Sequence, residues 1–343
     1  MNLEQLKIKL SPVVLIFAII LVLNVSPCSG KTSGDEAPVT VPAGNLLFSY
    51  FSQSYEPTFM FNADSVVIPL KRAGRLFLIE AVVDGVEGNL VFDTGAGRLV
   101  MNSTYFRNHV RSGNTHTSGI TGSAGIVSQI TIEKIEFANL QYQNLRADIT
   151  DLGHIENQRN FKILGLIGFN MMKNLEVVID ARNSELRLYR IDDSGKRTAT
   201  GKKQFIADHY QEFEVKSDVM FLKAGIGGKT FNFCFDTGAE TNVLNSYANK
   251  KMLNTITITR RKVLKGAGGG SSEVLFGKMN EFMIGNRNIA GMETIVTNLS
   301  ALNDVYGKTI DGMLGCSFMD NGIICINFVK KEFSIRYWKG GDQ

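Results

Sequence analysis

Apolar residues in this chain come in short runs broken by glycine-containing turns. From Val66 onward, Leu76-Phe77-Leu78-Ile79 and Ala81-Val82-Val83 lead to Asp84-Gly85, and Leu90-Val91-Phe92 follows. A later stretch repeats the plan with Met220-Phe221-Leu222, a turn at Gly227-Gly228, and Phe231 to Phe235. Apolar and aromatic runs flanking a two-residue turn of this kind signal β-hairpins. Long amphipathic helices are scarce, so the pattern predicts a mainly β chain. Short helices are expected after Asn102 and Asn245, and again after the Gly168 and Gly315 turns. The polar stretch Asp192 to Asp208, rich in Gly, Lys and Thr, reads as a linker.

The two hairpin regions belong to a long internal repeat. Aligned from an aspartate, Asp93-Thr-Gly-Ala-Gly-Arg-Leu-Val-Met-Asn-Ser103 and Asp236-Thr-Gly-Ala-Glu-Thr-Asn-Val-Leu-Asn-Ser246 share seven of eleven positions, at an offset of 143. Further on the offset becomes 147: Ile149-Thr150-Asp151-Leu152 falls on Val296-Thr297-Asn298-Leu299, and Gly165-Leu166-Ile167-Gly168 on Gly312-Met313-Leu314-Gly315. The slip needs only small surface insertions. A period this long marks a duplicated domain and not a solenoid.

At 343 residues the chain has room for two domains with sizeable cores. A net charge of +4 is mild and argues against dedicated nucleic-acid binding; the basic clusters Lys196-Arg197, Lys202-Lys203 and Arg260-Arg261-Lys262 lack interleaved aromatics and read as solvated loops. At the N-terminus, Lys7 and Lys9 precede an apolar run from Pro12 to Val25, interrupted only by Asn24. That run is short for a membrane span and suits a signal-peptide core. Cleavage after Cys28 or Gly30, lipid attachment at Cys28 and an uncleaved anchor are the three options. Pro27 before Cys28 fits the lipid option poorly. All three predict an exported protein: periplasmic, envelope-anchored or secreted. Cys234, Cys316 and Cys325 are too few for a disulfide framework and are expected to be buried free thiols, with a Cys316–Cys325 bridge as the alternative.

The repeated aspartates carry the chemistry. Each follows a buried-type strand and precedes a hydroxyl residue and a turn glycine. If the two halves fold about an approximate two-fold axis, Asp93 and Asp236 become neighbours. Like charges that close cannot both ionise, so one carboxyl keeps a proton and the pair titrates as a unit. The ionised member can activate a water and the protonated one can polarise a carbonyl. Gly95 and Gly238 permit close backbone approach, and Thr94 and Thr237 offer hydroxyls to bond across the interface. Other chemistries find no pattern. His109, His116, His154 and His209 lack metal-ligand spacing, and Gly228-Lys229-Thr230 lacks the glycine a phosphate loop needs at position 223. No metal or organic cofactor is expected.

On these residues the sequence resembles the retropepsin/pepsin superfamily of aspartic proteases, over roughly residues 65–190 and 210–338. The alanine after each Asp-Thr-Gly, and Val243-Leu244 beyond it, resemble the retroviral-type variant. Leu166-Ile167-Gly168 and Met313-Leu314-Gly315 match the family's hydrophobic-hydrophobic-glycine element. The resemblance implies an acid-protease fold, mainly β, with two homologous retropepsin-like β-barrel lobes in one chain related by a pseudo-two-fold axis. The expected layout is a signal peptide or anchor over 1–28, a tether or N-terminal extension over 29–62, one lobe over 63–192, a linker over 193–208 and the other lobe over 209–340. Glycine-rich stretches with Gly119 and Gly122, and with Gly266 and Gly268, stand where the family has its flaps. Neither carries the tyrosine of pepsin-like flaps. The implied function is an aspartic endopeptidase acting on polypeptide or peptide substrates through Asp93 and Asp236, as a monomer that could be membrane-anchored through its N-terminus. The alternative is a peptide-binding or envelope structural protein that uses the same fold without catalysis.

Overall fold

A computed structural model describes residues 22–24, 55–119, 122–198, 204–265, 271–306 and 308–339. The chain is mainly β. In the first half, the strands Leu76–Val83, Val86–Phe92, Ile163–Ile167, Val100–Asn102, Leu140–Thr150 and Gly122–Phe137 pair in that order. Pairing of Val82 with Glu136 and of Val83 with Ile135 returns the last strand to the first, closing a barrel. In the second half, Val219–Ile226, Lys229–Phe235, Gly312–Leu314, Asn242–Asn245, Met292–Thr297 and Ser271–Met279 follow the same order but remain an open half-barrel.

Turn chemistry sets the first hairpin of each lobe. Asp84 and Gly85 have φ of 46° and 79°, and Gly227 and Gly228 have 57° and 71°. Two positive φ values in succession match the twist of the flanking strands, which is why Asp-Gly and Gly-Gly occupy these turns.

A third sheet fastens the halves together. Its six strands run His209–Glu212, Glu332–Tyr337, Gly322–Asn327, Leu175–Asp180, Glu185–Arg190 and Ser65–Pro69. The order is a palindrome in the repeat: each half supplies a central hairpin and an outer strand. The central strands meet antiparallel, with Val178 opposite Cys325, its partner in the sequence repeat. All three cysteines among the described residues are free and buried.

The cores repeat as well. One cluster contains Leu78, Val91, Val100, Ile155, Ile163 and Leu166; another contains their repeat counterparts Phe221, Cys234, Val243, Leu302, Ile310 and Met313. Asn102 accepts from Thr104 N and donates to Ile163 O, while Asn245 accepts from Tyr247 N and donates to Ile310 O. These contacts, the same in both halves, explain why both copies keep the asparagine. They also give Asn102, which opens a glycosylation-like triplet, a buried structural role.

Helices form at Ser103–Phe106 and Cys316–Met319, with a 3-10 turn at Phe169–Met171, where the sequence leads one to expect them. The helix expected after Asn245 starts later, at Lys250–Leu253, because Asn249 supplies the cap by accepting from Lys251 N. Two further helices, Gly153–Arg159 and Ser300–Tyr306, were not anticipated from the pattern. Of the N-terminal extension, Tyr55 and Phe59 are buried, and Thr58–Phe59 pairs with the barrel strand Leu140–Thr150. The apolar run Pro12–Val25 lies outside the described residues apart from Val22–Asn24. No helix among the described residues is long and apolar enough to cross a membrane.

Candidate active site

Asp93 and Asp236 stand at the ends of equivalent strands, Val86–Phe92 and Lys229–Phe235. Each backbone N–H is fixed by the neighbouring parallel strand: Asp93 N donates to Ile167 O at 3.0 Å, and Asp236 N to Leu314 O at 2.9 Å. The two loops then meet in the centre of the molecule. A Cβ added to Gly95 would lie 2.6 Å from either carboxylate oxygen of Asp236, and one added to Gly238 would lie 2.7 Å from those of Asp93. Any side chain at either glycine therefore collides with the opposite carboxyl.

The threonines lock this approach from below. Thr94 N donates to Thr237 Oγ1 at 2.9 Å, and Thr237 N donates to Thr94 Oγ1 at 3.1 Å. Each hydroxyl donates onward across the interface, Thr94 to Phe235 O at 3.1 Å and Thr237 to Phe92 O at 2.8 Å. Both threonines are buried, so no water competes for these bonds. Thr237→Val keeps the shape but strands two buried partners, at about 1–3 kcal/mol each. Urea unfolding of that variant should show a loss of about 2–6 kcal/mol; an unchanged midpoint would mean the crossed bonds contribute little.

The glycine elements pack beneath. A Cβ at Gly168 would lie 2.6 Å from Ala96 O, and one at Gly315 would lie 2.7 Å from Thr241 O. Phe169 N donates to Ala96 O at 2.7 Å and Cys316 N to Ala239 O at 2.9 Å, holding each loop from the C-terminal side.

Burial dominates the electrostatics. Asp93 is 7% exposed and Asp236 is 1% exposed. Asp93 accepts from Gly95 N at 3.0 Å and Ala96 N at 3.1 Å; Asp236 accepts from Gly238 N at 2.8 Å. Each carboxyl lies against the glycine of the other's loop, close enough for the two to influence each other's ionisation. Loss of water raises the Asp93 carboxyl to about 6, against the pull of the Asp236 hydrogen bond and the two amides. Asp236 is pushed well above the ordinary carboxylate range by burial and then by the charge of Asp93. Both carboxyls are thus raised by burial, and two like charges this close disfavour double ionisation, so the pair titrates as a unit that keeps one proton.

Gly119 and Gly122 pair across the tip of the hairpin formed by Ser112–Gly119 and Gly122–Phe137. The first of these strands lies against the helix Ser300–Tyr306 of the other lobe. Gly266 and Gly268 lie outside the described residues, but the flanking strands Ile256–Lys265 and Ser271–Met279 pair as a hairpin ending at Lys265 and Ser271. Among the described residues there is no group of three or more His, Cys, Asp or Glu arranged to hold a metal ion. Sequence reasoning missed a buried interlobe ion pair, Arg159 with Glu240. Its one visible signal was the mismatch between Gly97 and Glu240 in otherwise similar motifs.

A two-lobed, mainly β protein with an Asp-Thr-Gly loop in each lobe has the architecture of a protease fold. Residues 222–318 match the family model described as aspartyl protease. That match, covering most of the second lobe, supports an aspartyl protease, retropepsin-like family for the chain and points to peptidase activity in general. No curated protein matched the sequence.

Proposed function

We propose that the chain is an aspartic endopeptidase whose two lobes form one site, with Asp93 and Asp236 as its catalytic pair. The observation that carries this reading is the reciprocal approach of each carboxyl to the other loop's glycine. A polypeptide lies extended between the lobes, beneath the Ser112–Phe137 hairpin, and adds backbone hydrogen bonds to strand edges. Asp93, ionised, takes a proton from a water as that water attacks the scissile carbonyl. Asp236, protonated, donates to the carbonyl oxygen. The nitrogen then receives the proton from Asp93 as the C–N bond breaks, and Asp236 takes back a proton from one hydroxyl of the tetrahedral diol, giving a carboxylic acid and an amine and restoring the pair. An exported location, inferred from the N-terminal apolar run, makes envelope or extracellular polypeptides the substrates.

The assignment of protons fixes the pH dependence. Activity needs Asp93 ionised, so it rises as pH climbs through about 6. It also needs Asp236 protonated, so it falls only above the higher value of that group. The kcat/KM profile on a quenched peptide should therefore have its rising limb near pH 6, to within about one unit, with the falling limb above it. Full activity at about pH 3–4, where an ordinary carboxyl ionises, with loss by pH 6, would contradict this division of roles.

A further inference from the structure

The two motif loops differ at the residue after alanine. The first has Gly97 and the second has Glu240. Glu240 is buried, and its carboxylate forms an ion pair with the guanidinium of Arg159, also largely buried. Arg159 ends the helix Gly153–Arg159 of the opposite lobe. Its counterpart in the repeat is Tyr306, the last residue of the helix Ser300–Tyr306. Tyr306 carries no charge to pair and faces Phe221 within its own lobe, 5.8 Å between ring centroids. The Arg–Glu pair therefore exists on the Asp236 side only.

Neighbouring contacts tie this pair to the reacting loop. The Arg159 guanidinium lies across Gly74, where φ is +67° and an added Cβ would collide with Nη1. The next residue, Arg75, crosses to the second lobe, with Nη1 2.6 Å from Glu293 Oε2 and Nη2 2.6 Å from Asp320 Oδ2. Arg75 O accepts from Cys316 Sγ at 2.7 Å, and Cys316 N donates to Ala239 O at 2.9 Å. Thr241 Oγ1 donates to Glu293 O at 2.9 Å. Residues 239 to 241, immediately after Asp236-Thr237-Gly238, are thus held at three successive positions by contacts that lead to the Gly74–Arg75 turn or the helix behind it. On the other side, Gly97 has no side chain to pair; a Cβ there would meet the Ser217–Asp218 turn, Gly97 O accepts from Asn170 N at 3.3 Å, and Asp218 pairs with Lys173 at 2.9 Å.

Burying an arginine and a glutamate is costly, and such pairs contribute little net stability. Burial even lowers the Arg159 guanidinium from its usual value. We propose that Arg159 and Glu240 are positioning residues for peptide hydrolysis: their ion pair bolts the Asp236 loop to the opposite lobe and sets the separation of the two carboxyls. This rests on the endopeptidase reading above. Loosening the loop admits water beside Asp236 and relaxes the enforced proximity. Its raised pKa then falls, and the falling limb of the pH profile moves to lower pH.

The test measures steady-state cleavage of fluorescein-labelled casein and of a quenched peptide chosen from a library digest. Wild type, Glu240→Gln, Arg159→Met and Arg159→Lys are compared, each normalised to folded protein by near-ultraviolet circular dichroism. Glu240→Gln and Arg159→Met should lose about 10–100-fold in kcat, with KM within about threefold and the falling limb displaced to lower pH. Arg159→Lys, which keeps the charge but loses the planar guanidinium fork, should retain a kcat between those of wild type and Arg159→Met. Wild-type kcat and an unmoved limb in folded Glu240→Gln would overturn the proposal. So would losses that match the unfolded fraction, or an Arg159→Lys variant as impaired as Arg159→Met. A wild type that cleaves neither substrate would overturn the endopeptidase reading itself.

Discussion

Asp236→Asn is expected to lower kcat/KM by about 10³–10⁴-fold and, at the same time, to make the protein more stable above pH 6. Asn cannot donate the proton to the carbonyl oxygen, so the reaction loses its acid while the loop geometry is kept. The stability gain follows from the same burial. A carboxyl whose folded pKa is raised supports folding while it is protonated and loses that support as pH climbs through the folded value. Asp93 and Asp236 are both raised, and Asp93 to about 6. Wild type should therefore weaken as pH passes from the ordinary carboxylate range through 6 and beyond. Asn has no charge to desolvate, so its variant should melt at a higher temperature than wild type at pH 8, by a few degrees, about 2–5 °C, with the difference shrinking below pH 4. Calorimetry at the two pH values checks the sign. A lower melting temperature at pH 8, or activity within tenfold of wild type, would contradict the roles given to the pair.

The second large effect is expected from a single methyl group. In Gly238→Ala the new Cβ would lie 2.7 Å from the Asp93 carboxylate oxygens, and in Gly95→Ala 2.6 Å from those of Asp236. These atoms belong to short, hydrogen-bonded side chains on a loop locked by Thr94 and Thr237, so neither side can yield cheaply. The carboxyls must separate or the loops must part. Overpacking of this kind costs about 1–3 kcal/mol, and a displacement near 1 Å at a reacting group costs about 100-fold in rate. Gly95→Ala and Gly238→Ala should each show both losses, read as kcat on folded protein and as the urea midpoint. Wild-type kcat in either variant would mean that the carboxyls do not work face to face.

Much of this arrangement was legible in the sequence because it is written locally and written twice. Asp93-Thr94-Gly95-Ala96 and Asp236-Thr237-Gly238-Ala239 mark the loops, and Asp84-Gly85 and Gly227-Gly228 mark the hairpins, whose φ values require such residues. Gly168 and Gly315 signal close approach to backbone, and the distances to Ala96 O and Thr241 O explain why. Pairing between distant segments was not legible. Nothing in the strand patterns says that Leu175–Asp180 will lie beside Gly322–Asn327, or that Val82 will meet Glu136 and close one barrel while the other half stays open. The helices Gly153–Arg159 and Ser300–Tyr306 carry weak start signals: the first opens at a glycine after Leu152, whose side chain makes no capping hydrogen bond. Their one clue was the three-residue spacing of Leu152 with Ile155 and of Leu299 with Leu302, all buried. The Arg159–Glu240 pair joins one of those unforeseen helices to a motif position, so it could emerge only from the fold.

The central claim is that both carboxyls of one site come from one chain. Cleavage of a peptide library by wild type, by Asp93→Asn, by Asp236→Asn and by an equimolar mixture of the two variants tests it in one mass-spectrometric measurement. Cleavage by wild type alone, with the mixture as silent as its components, is the expected result. Products from the mixture would place the two aspartates of a working site on different chains, and products from either variant alone, or none from wild type, would remove the pair from the chemistry.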